Sequence, residues 1–136
     1  MTNKKLRILI AESQNSESLM VERLLNRLGY HRIATASTLD EARLLGRCTE
    51  YPFDVLIISG LLIVSEQFDD SSLAGISLNG LIYQSLYLPQ PLVPFAAEGV
   101  AMRLPGHLDL AELDAFMALV DPMSVHHQQR QVAIQL

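Results

Sequence analysis

The chain has 136 residues, of which 49% are hydrophobic and 18% are charged, and its formal net charge is −5. A composition this apolar excludes intrinsic disorder and is compatible with a sheet that is buried on both faces. The acidic balance argues against nucleic acid as a partner, because phosphate backbones bind concentrated positive surfaces. The single cysteine, Cys48, excludes an internal disulfide and a cysteine metal cluster.

Membrane and export signals are not indicated by the sequence. It contains no run of about 18 apolar residues, which a membrane-spanning helix needs. The basic residues Lys4, Lys5 and Arg7 precede only a short apolar stretch over residues 8–11, which is too short for the apolar region of a signal peptide. We therefore expect a cytoplasmic protein with no membrane partner.

Three short runs rich in branched apolar residues predict strands in the first half, over residues 6–11, 32–36 and 54–59. Between them lie two segments with apolar residues at helical spacing. Short strands that alternate with helices favour a parallel sheet with right-handed crossovers.

The two helices of this half have recognisable ends. The first is predicted over residues 17–28, because Gly29 supplies a left-handed stop. The second is predicted to begin at Thr38 and to continue to Leu45, since Thr38 and Glu41 have the spacing of a capping box.

The second half is less regular. Residues 73–87 predict a weak helix that Gly75 and Gly80 interrupt, residues 91–97 a strand despite their prolines, and residues 100–104 another strand. Asp109 and Glu112 have the spacing of a helix cap, and the apolar residues that follow form one stripe up to Val120.

The last residues form a tail in which Val132, Ile134 and Leu136 alternate with other residues. This tail is either disordered or an added strand at a sheet edge of its own chain or of a neighbour. Pairing with a neighbour would make the protein a homodimer, so we expect a homo-oligomer.

The first half resembles the receiver domain of two-component response regulators (the CheY-like superfamily). The resemblance rests on the strand over residues 7–12, the helix end Leu28-Gly29-Tyr30 and the segment over residues 53–59. It implies an α/β, flavodoxin-like, doubly wound parallel sheet over residues 1–122, with residues 123–136 as the tail. In that family, an aspartate at the carboxyl edge of the sheet accepts a phosphoryl group beside Mg²⁺.

Aligned on Asp54, an aspartate often found at the start of the family's third strand, the sequence places Ser59 at the acceptor position. A serine hydroxyl is a weak nucleophile without an adjacent base. Glu12 and Ser13 take the place of the family's acidic pair, so one of two carboxylates remains. Mg²⁺ binding is therefore expected to be lost or very weak, and no cofactor is predicted.

Two further positions of the family's pocket also differ. Ala96 aligns with the hydroxyl residue that ends the fourth strand, and Leu104-Pro105 aligns with the lysine-proline pair after the fifth. Arg103 comes one position before the lysine, and strand alternation would direct it to the other face.

The spacing of the last two predicted strands departs from the family's architecture as well. Residues 91–104 are too few for two parallel strands with a helix between them, since a parallel return needs about a dozen residues. The family's fourth helix is therefore expected to be absent, or the strands form an antiparallel hairpin around Glu98-Gly99.

Two other sets of residues contain possible metal ligands. Glu66, Asp69 and Asp70 lie in a polar stretch and are expected to face water. His126 and His127 are adjacent and would point apart in a strand, which disfavours a shared metal.

These features predict a degenerate pseudo-receiver that acts in signal transduction through contact with a protein partner, without phosphorylation and without enzymatic activity. The alternative is a small-molecule sensor that uses the vacated pocket near Glu12, Ser13, Ser59 and Arg103.

Overall fold

The computed structural model describes residues 5–48, 50–65, 75–87 and 99–121. Its elements, in chain order, are β1 (Ile8–Ala11), α1 (Asn15–Arg27), β2 (Ile33–Ala36), α2 (Leu39–Arg47), β3 (Phe53–Ser59), α3 (Gly60–Ser65), β4 (Ser77–Tyr83), the 3₁₀ helix η1 (Ser85–Tyr87), β5 (Ala101–Arg103) and α4 (Leu110–Val120). No helix within these ranges is long and apolar enough to cross a membrane.

The strands form one five-stranded sheet in the order β2-β1-β3-β4-β5, and every neighbouring pair is parallel. The fold is therefore α/β, as predicted, and its strand order is compatible with a flavodoxin-like fold. All four residues of β1 are buried, and only Asp54 in β3 is less than fully buried. Burial on both faces explains why these two strands are continuous apolar runs.

Helices cover both faces of the sheet, and each face has its own core. Ile8 and Ile10 of β1 point toward the core that contains residues of α1 and α4. Leu9 and Ala11 point to the opposite side, where residues of α2 and α3 pack. Side chains of a strand alternate between faces, so one apolar run supplies both cores.

The predicted capping residues are confirmed, although α1 begins two residues earlier and α2 ends two residues later than predicted. The backbone N–H of Glu41 donates to the Thr38 hydroxyl at 3.0 Å, and that of Glu112 donates to the Asp109 carboxylate at 2.8 Å. Gly29 has a φ of 100°, the left-handed conformation expected after α1. The strands predicted over residues 6–11, 32–36, 54–59 and 100–104 are all found, with shifted ends.

The weak helix predicted over residues 73–87 is wrong, because Ser77–Tyr83 is β4. This strand pairs with β3 over most of its length, from Phe53 opposite Ser77 to Ser59 opposite Tyr83. Its last four residues are all buried. A short apolar run of this kind cannot be assigned to a helix or a strand by periodicity, and here pairing with β3 decides.

The last described strand, β5, runs parallel to β4. The antiparallel hairpin considered around Glu98-Gly99 stays a prediction, because its first strand lies outside the described residues. Since β4 ends at Tyr83, the connection spans residues 84–100 and is long enough for a parallel return. The strand predicted over residues 91–97 and the tail over residues 123–136 lie outside the described residues. Most of the segment from which we expected the family's fourth helix to be absent also lies outside the described residues.

A buried hydrogen bond joins the region after α1 to the end of α4. The Tyr30 hydroxyl donates to the Asp121 carboxylate at 2.5 Å, and both residues are almost fully buried. Burial, followed by the bond to Asp121, raises the pKa of Tyr30 well above its usual value. The phenol is therefore a permanent donor at physiological pH.

Tyr30→Phe should lower the free energy of unfolding by about 1–3 kcal/mol, because Asp121 would lose a buried donor. Urea denaturation would measure the change. Tyr51→Phe is the matched control: Tyr51 is 67% exposed, and its replacement should change stability by less than about 0.5 kcal/mol. Equal effects of the two substitutions would contradict a stabilising role for the buried bond.

Candidate functional site

Three polar side chains form a row across the carboxyl ends of neighbouring strands. Ser59 ends β3 and pairs in register with Tyr83, which ends β4. The β1–β3 register matches Ala11 to Ile58, so its continuation by one residue places Glu12 beside Ser59. Open α/β sheets bind their ligands at this edge, and it is where the resemblance to receiver domains places the phosphorylation pocket.

Tyr83 crosses the row to reach Glu12. Its hydroxyl donates to Glu12 Oε1 at 2.6 Å, and the other carboxylate oxygen accepts from the backbone N–H of Gln14 at 3.1 Å. Glu12 is only 5% exposed, and Tyr83 is fully buried. Both oxygens of the carboxylate therefore have partners inside the protein.

Ser59 is equally enclosed. Its hydroxyl donates to Oε1 of Gln84 at 2.8 Å and accepts from the backbone N–H of Leu61 at 3.2 Å. No part of the residue is exposed to solvent. The hydroxyl thus connects the start of α3 to the residue that follows β4.

Gln84 has an unusual backbone, with a φ of 54°, a left-handed conformation that is uncommon outside glycine. Its backbone N–H donates to the carbonyl of Gly106 at 2.9 Å, and that of Ser85 donates to the carbonyl of Leu104 at 2.9 Å. These bonds hold the turn after β4 against the turn after β5. Strained backbone persists where the surrounding contacts determine it.

Gly60, the first residue of α3, lies directly against this turn. A Cβ atom at residue 60 would collide with the carbonyl oxygen of Gln84 and would lie 3.2 Å from Cα of Ser85. Only a residue without a side chain allows α3 and η1 to approach so closely.

Of the residues predicted for the degenerate pocket, the structure brings Glu12 and Ser59 together. Ser13 is exposed. Arg103 is also exposed, whereas its neighbours Met102 and Leu104 pack against the α1 and α4 core. Arg103 therefore points to the other face, as strand alternation predicts.

The assignment of Ala96 to the end of the strand beside β3 is wrong. Residue 96 lies outside the described residues, and the place beside Ser59 is held by Tyr83. Sequence reasoning missed Tyr83 and Gln84 because it placed them in a helix. A signal for the strand was available in the sequence: the apolar run Leu81-Ile82 before Tyr83 is similar to the apolar run that ends at Ser59.

The surroundings of Tyr83 keep its phenol neutral. Burial raises the pKa of Tyr83 far above its usual value, and the hydrogen bond to Glu12 and the negative charges of Glu12 and Glu17 raise it further. Tyr83 is therefore a hydrogen-bond donor at physiological pH and cannot serve as a base or nucleophile.

The described residues offer few ligands for a metal ion. Across the described ranges no group of three His, Cys, Asp or Glu residues could hold a metal ion. The acids at residues 66, 69 and 70 and the histidines at residues 126 and 127 lie outside those ranges. Glu12, the carboxylate expected nearest to a metal, already bonds Tyr83 and Gln14.

Comparison with known proteins returned no family assignment: no protein-family model matches the chain, and no curated protein sequence matches it either. The resemblance to receiver domains therefore remains a prediction that rests on the residues quoted for it. The structure independently supports the α/β class and the parallel sheet.

Gly60→Ala should lower the free energy of unfolding by about 1–3 kcal/mol, because the new methyl group would force α3 away from Gln84. Gly106→Ala is the control, since a Cβ there would meet nothing within 4 Å. Thermal or urea denaturation of both variants measures the difference. A Gly60→Ala protein as stable as the Gly106→Ala protein would disprove the close contact.

Alkaline pH should destabilise the protein through its two buried tyrosines. Above about pH 10 the unfolded chain loses phenolic protons that Tyr30 and Tyr83 keep in the folded state, because their pKa values are raised. The folded state then binds more protons, so the free energy of unfolding falls as pH rises. The expected slope approaches about 1.4 kcal/mol per pH unit for each tyrosine well above about pH 10, and it averages about half of that between about pH 9 and 11.

Urea denaturation between about pH 9 and 11 would measure this slope. Tyr30→Phe and Tyr83→Phe should each flatten the slope relative to the wild type. The same slope in the wild type and both variants would contradict the claim that these phenols stay protonated in the folded state.

Proposed function

We propose that the chain is a pseudo-receiver that acts in signal transduction through contact with another protein, without phosphorylation. The observation that carries the proposal is the hydrogen bond from Tyr83 to Glu12 beside a fully buried Ser59. At the edge where receiver domains, which the sequence resembles, transfer a phosphoryl group, this chain has an internal hydrogen-bond network.

The chemistry of Ser59 supports the absence of transfer. A serine becomes a nucleophile when an adjacent base accepts its proton. Within the described residues, Ser59 Oγ bonds the amide oxygen of Gln84 and the backbone N–H of Leu61, and neither is a base of that kind. With no exposed surface, the hydroxyl also offers no approach for a phosphodonor.

The state of Glu12 supports the same conclusion for the metal. Mg²⁺ binds through carboxylate and other oxygens while keeping several waters. A metal at Glu12 would have to displace Tyr83 from a buried carboxylate and leave its phenol without that partner. The network thus competes directly with metal binding.

The alternative function, a small-molecule sensor in the vacated pocket, requires a ligand to displace both Tyr83 and Gln84 from their partners. The described contacts disfavour this alternative, because Glu12 and Ser59 already have hydrogen-bond partners within the protein. A homodimer formed through the tail remains a prediction on residues outside the described ranges.

Incubation with acetyl phosphate and Mg²⁺ should leave the intact mass of the protein unchanged, because neither a free acceptor nor a free carboxylate pair is present at the site. Intact-protein mass spectrometry is the measurement, and a receiver domain that retains its acceptor aspartate is the positive control. A stoichiometric phosphoryl adduct on this chain would overturn the proposal.

A further inference from the structure

One carboxylate oxygen of α1 is enclosed by the protein without a hydrogen-bond donor. Oε2 of Glu17, in the first turn of this helix, is buried and has no hydrogen-bond partner within the described residues. Buried acceptors are nearly always bonded, because an unsatisfied acceptor has lost its contact with water and gained nothing in return. A donor for this oxygen is therefore expected close by.

The side chain that faces this oxygen is His107, in the loop between β5 and α4. Its Nδ1 lies 3.9 Å from Oε2 of Glu17, and the imidazole is 69% exposed. The distance is too long for a hydrogen bond, but rotation of an exposed ring can close it. A neutral imidazole has one ring nitrogen without a proton, whereas both nitrogens of the protonated ring donate. Protonation of His107 therefore ensures that a donor faces Glu17.

The backbone on both sides of His107 is held in place. The carbonyl of Gly106 accepts from the backbone N–H of Gln84 at 2.9 Å, and Leu108 is only 4% exposed. The helix that follows this loop, α4, contacts α1. His107 can thus reach Glu17 through rotation of its side chain, without movement of the loop.

The other titratable groups on the surrounding elements are acids and one neutral phenol: Glu12 after β1, Tyr83 at the end of β4, and Asp109 and Glu112 at the start of α4. Burial and the bond to Glu12 raise the pKa of Tyr83, and the negative charge of Glu17 raises it further. Arg103 of β5 points to the face opposite α1. Among the described residues, the basic side chain within ion-pair distance of Glu17 is that of His107.

We propose that His107 and Glu17 form a pH-sensitive clasp, which closes when the imidazole of His107 is protonated and joins the loop before α4 to the first turn of α1. Imidazoles ordinarily gain their proton near about pH 6.5. The clasp is therefore closed in mildly acidic solution and open in mildly alkaline solution. Its contribution to stability is present while His107 is protonated and is lost as the pH rises. This inference is independent of the proposed function.

A double-mutant cycle on the full chain tests the clasp. Urea denaturation at about pH 5.5 and 8.0 would compare the wild type, Glu17→Gln, His107→Gln and the double variant, so that the pH effects of other groups cancel. At the lower pH the coupling should favour the folded state about two- to fivefold, as for partly exposed ion pairs. At the higher pH the coupling should be absent.

His31 provides the matched control, because it is exposed and follows the opposite end of α1. A cycle of Glu17→Gln with His31→Gln should show no coupling at either pH. Coupling of the same size with His31 as with His107 would overturn the assignment of the donor.

Nuclear magnetic resonance gives a second readout that does not depend on stability. The side-chain carboxyl ¹³C resonance of Glu17 should shift over the pH range in which the ring resonances of His107 shift, and this response should vanish in His107→Gln. A Glu17 resonance that does not respond to protonation of His107 would overturn the clasp, as would a coupling that is equal at the two pH values.

Discussion

The hydrogen bond between Tyr83 and Glu12 is the interaction on which the carboxyl edge of the sheet depends. It spans three strands, because Tyr83 ends β4, Glu12 follows β1 and Ser59 of β3 lies between them. Loss of either partner would leave a buried polar group unsatisfied, at a cost of about 1–3 kcal/mol. The bond also encloses Ser59, whose hydroxyl turns to Gln84 and thereby positions η1.

Much of the fold could be predicted because its signals are local. The β1 and β3 runs are buried on both faces, and the capping residues Thr38 and Asp109 act within one helical turn. The strand β4 could not be predicted in the same way, because its pairing with β3 joins residues distant in the chain. Its glycine at residue 80 and its short apolar run fitted an interrupted helix equally well.

The site was predicted in part for the same reason. Glu12 and Ser59 follow or end strands with strong local signals, so the resemblance placed them at one edge, where the structure has them. Tyr83 and Gln84 belong to the misassigned strand, and the error displaced the expected neighbour of Ser59 to Ala96. The missed residues are the hydrogen-bond partners of Glu12 and Ser59, so the structure has an internal network where the alternative function assumed a vacated pocket.

The Glu12 carboxylate cannot both bond Gln14 and the buried Tyr83 and bind the metal ion that phosphoryl transfer needs. A metal-binding carboxylate must remain accessible to the ion and its waters, whereas a buried carboxylate is stable only with internal donors. Glu12 has such donors in Tyr83 and Gln14. An aspartate at residue 59 would add a second buried charge beside Glu12, and the two would repel each other without a metal between them. An aspartate at residue 59 alone would therefore destabilise this edge without creating a phosphorylation site, because Tyr83 would still hold Glu12.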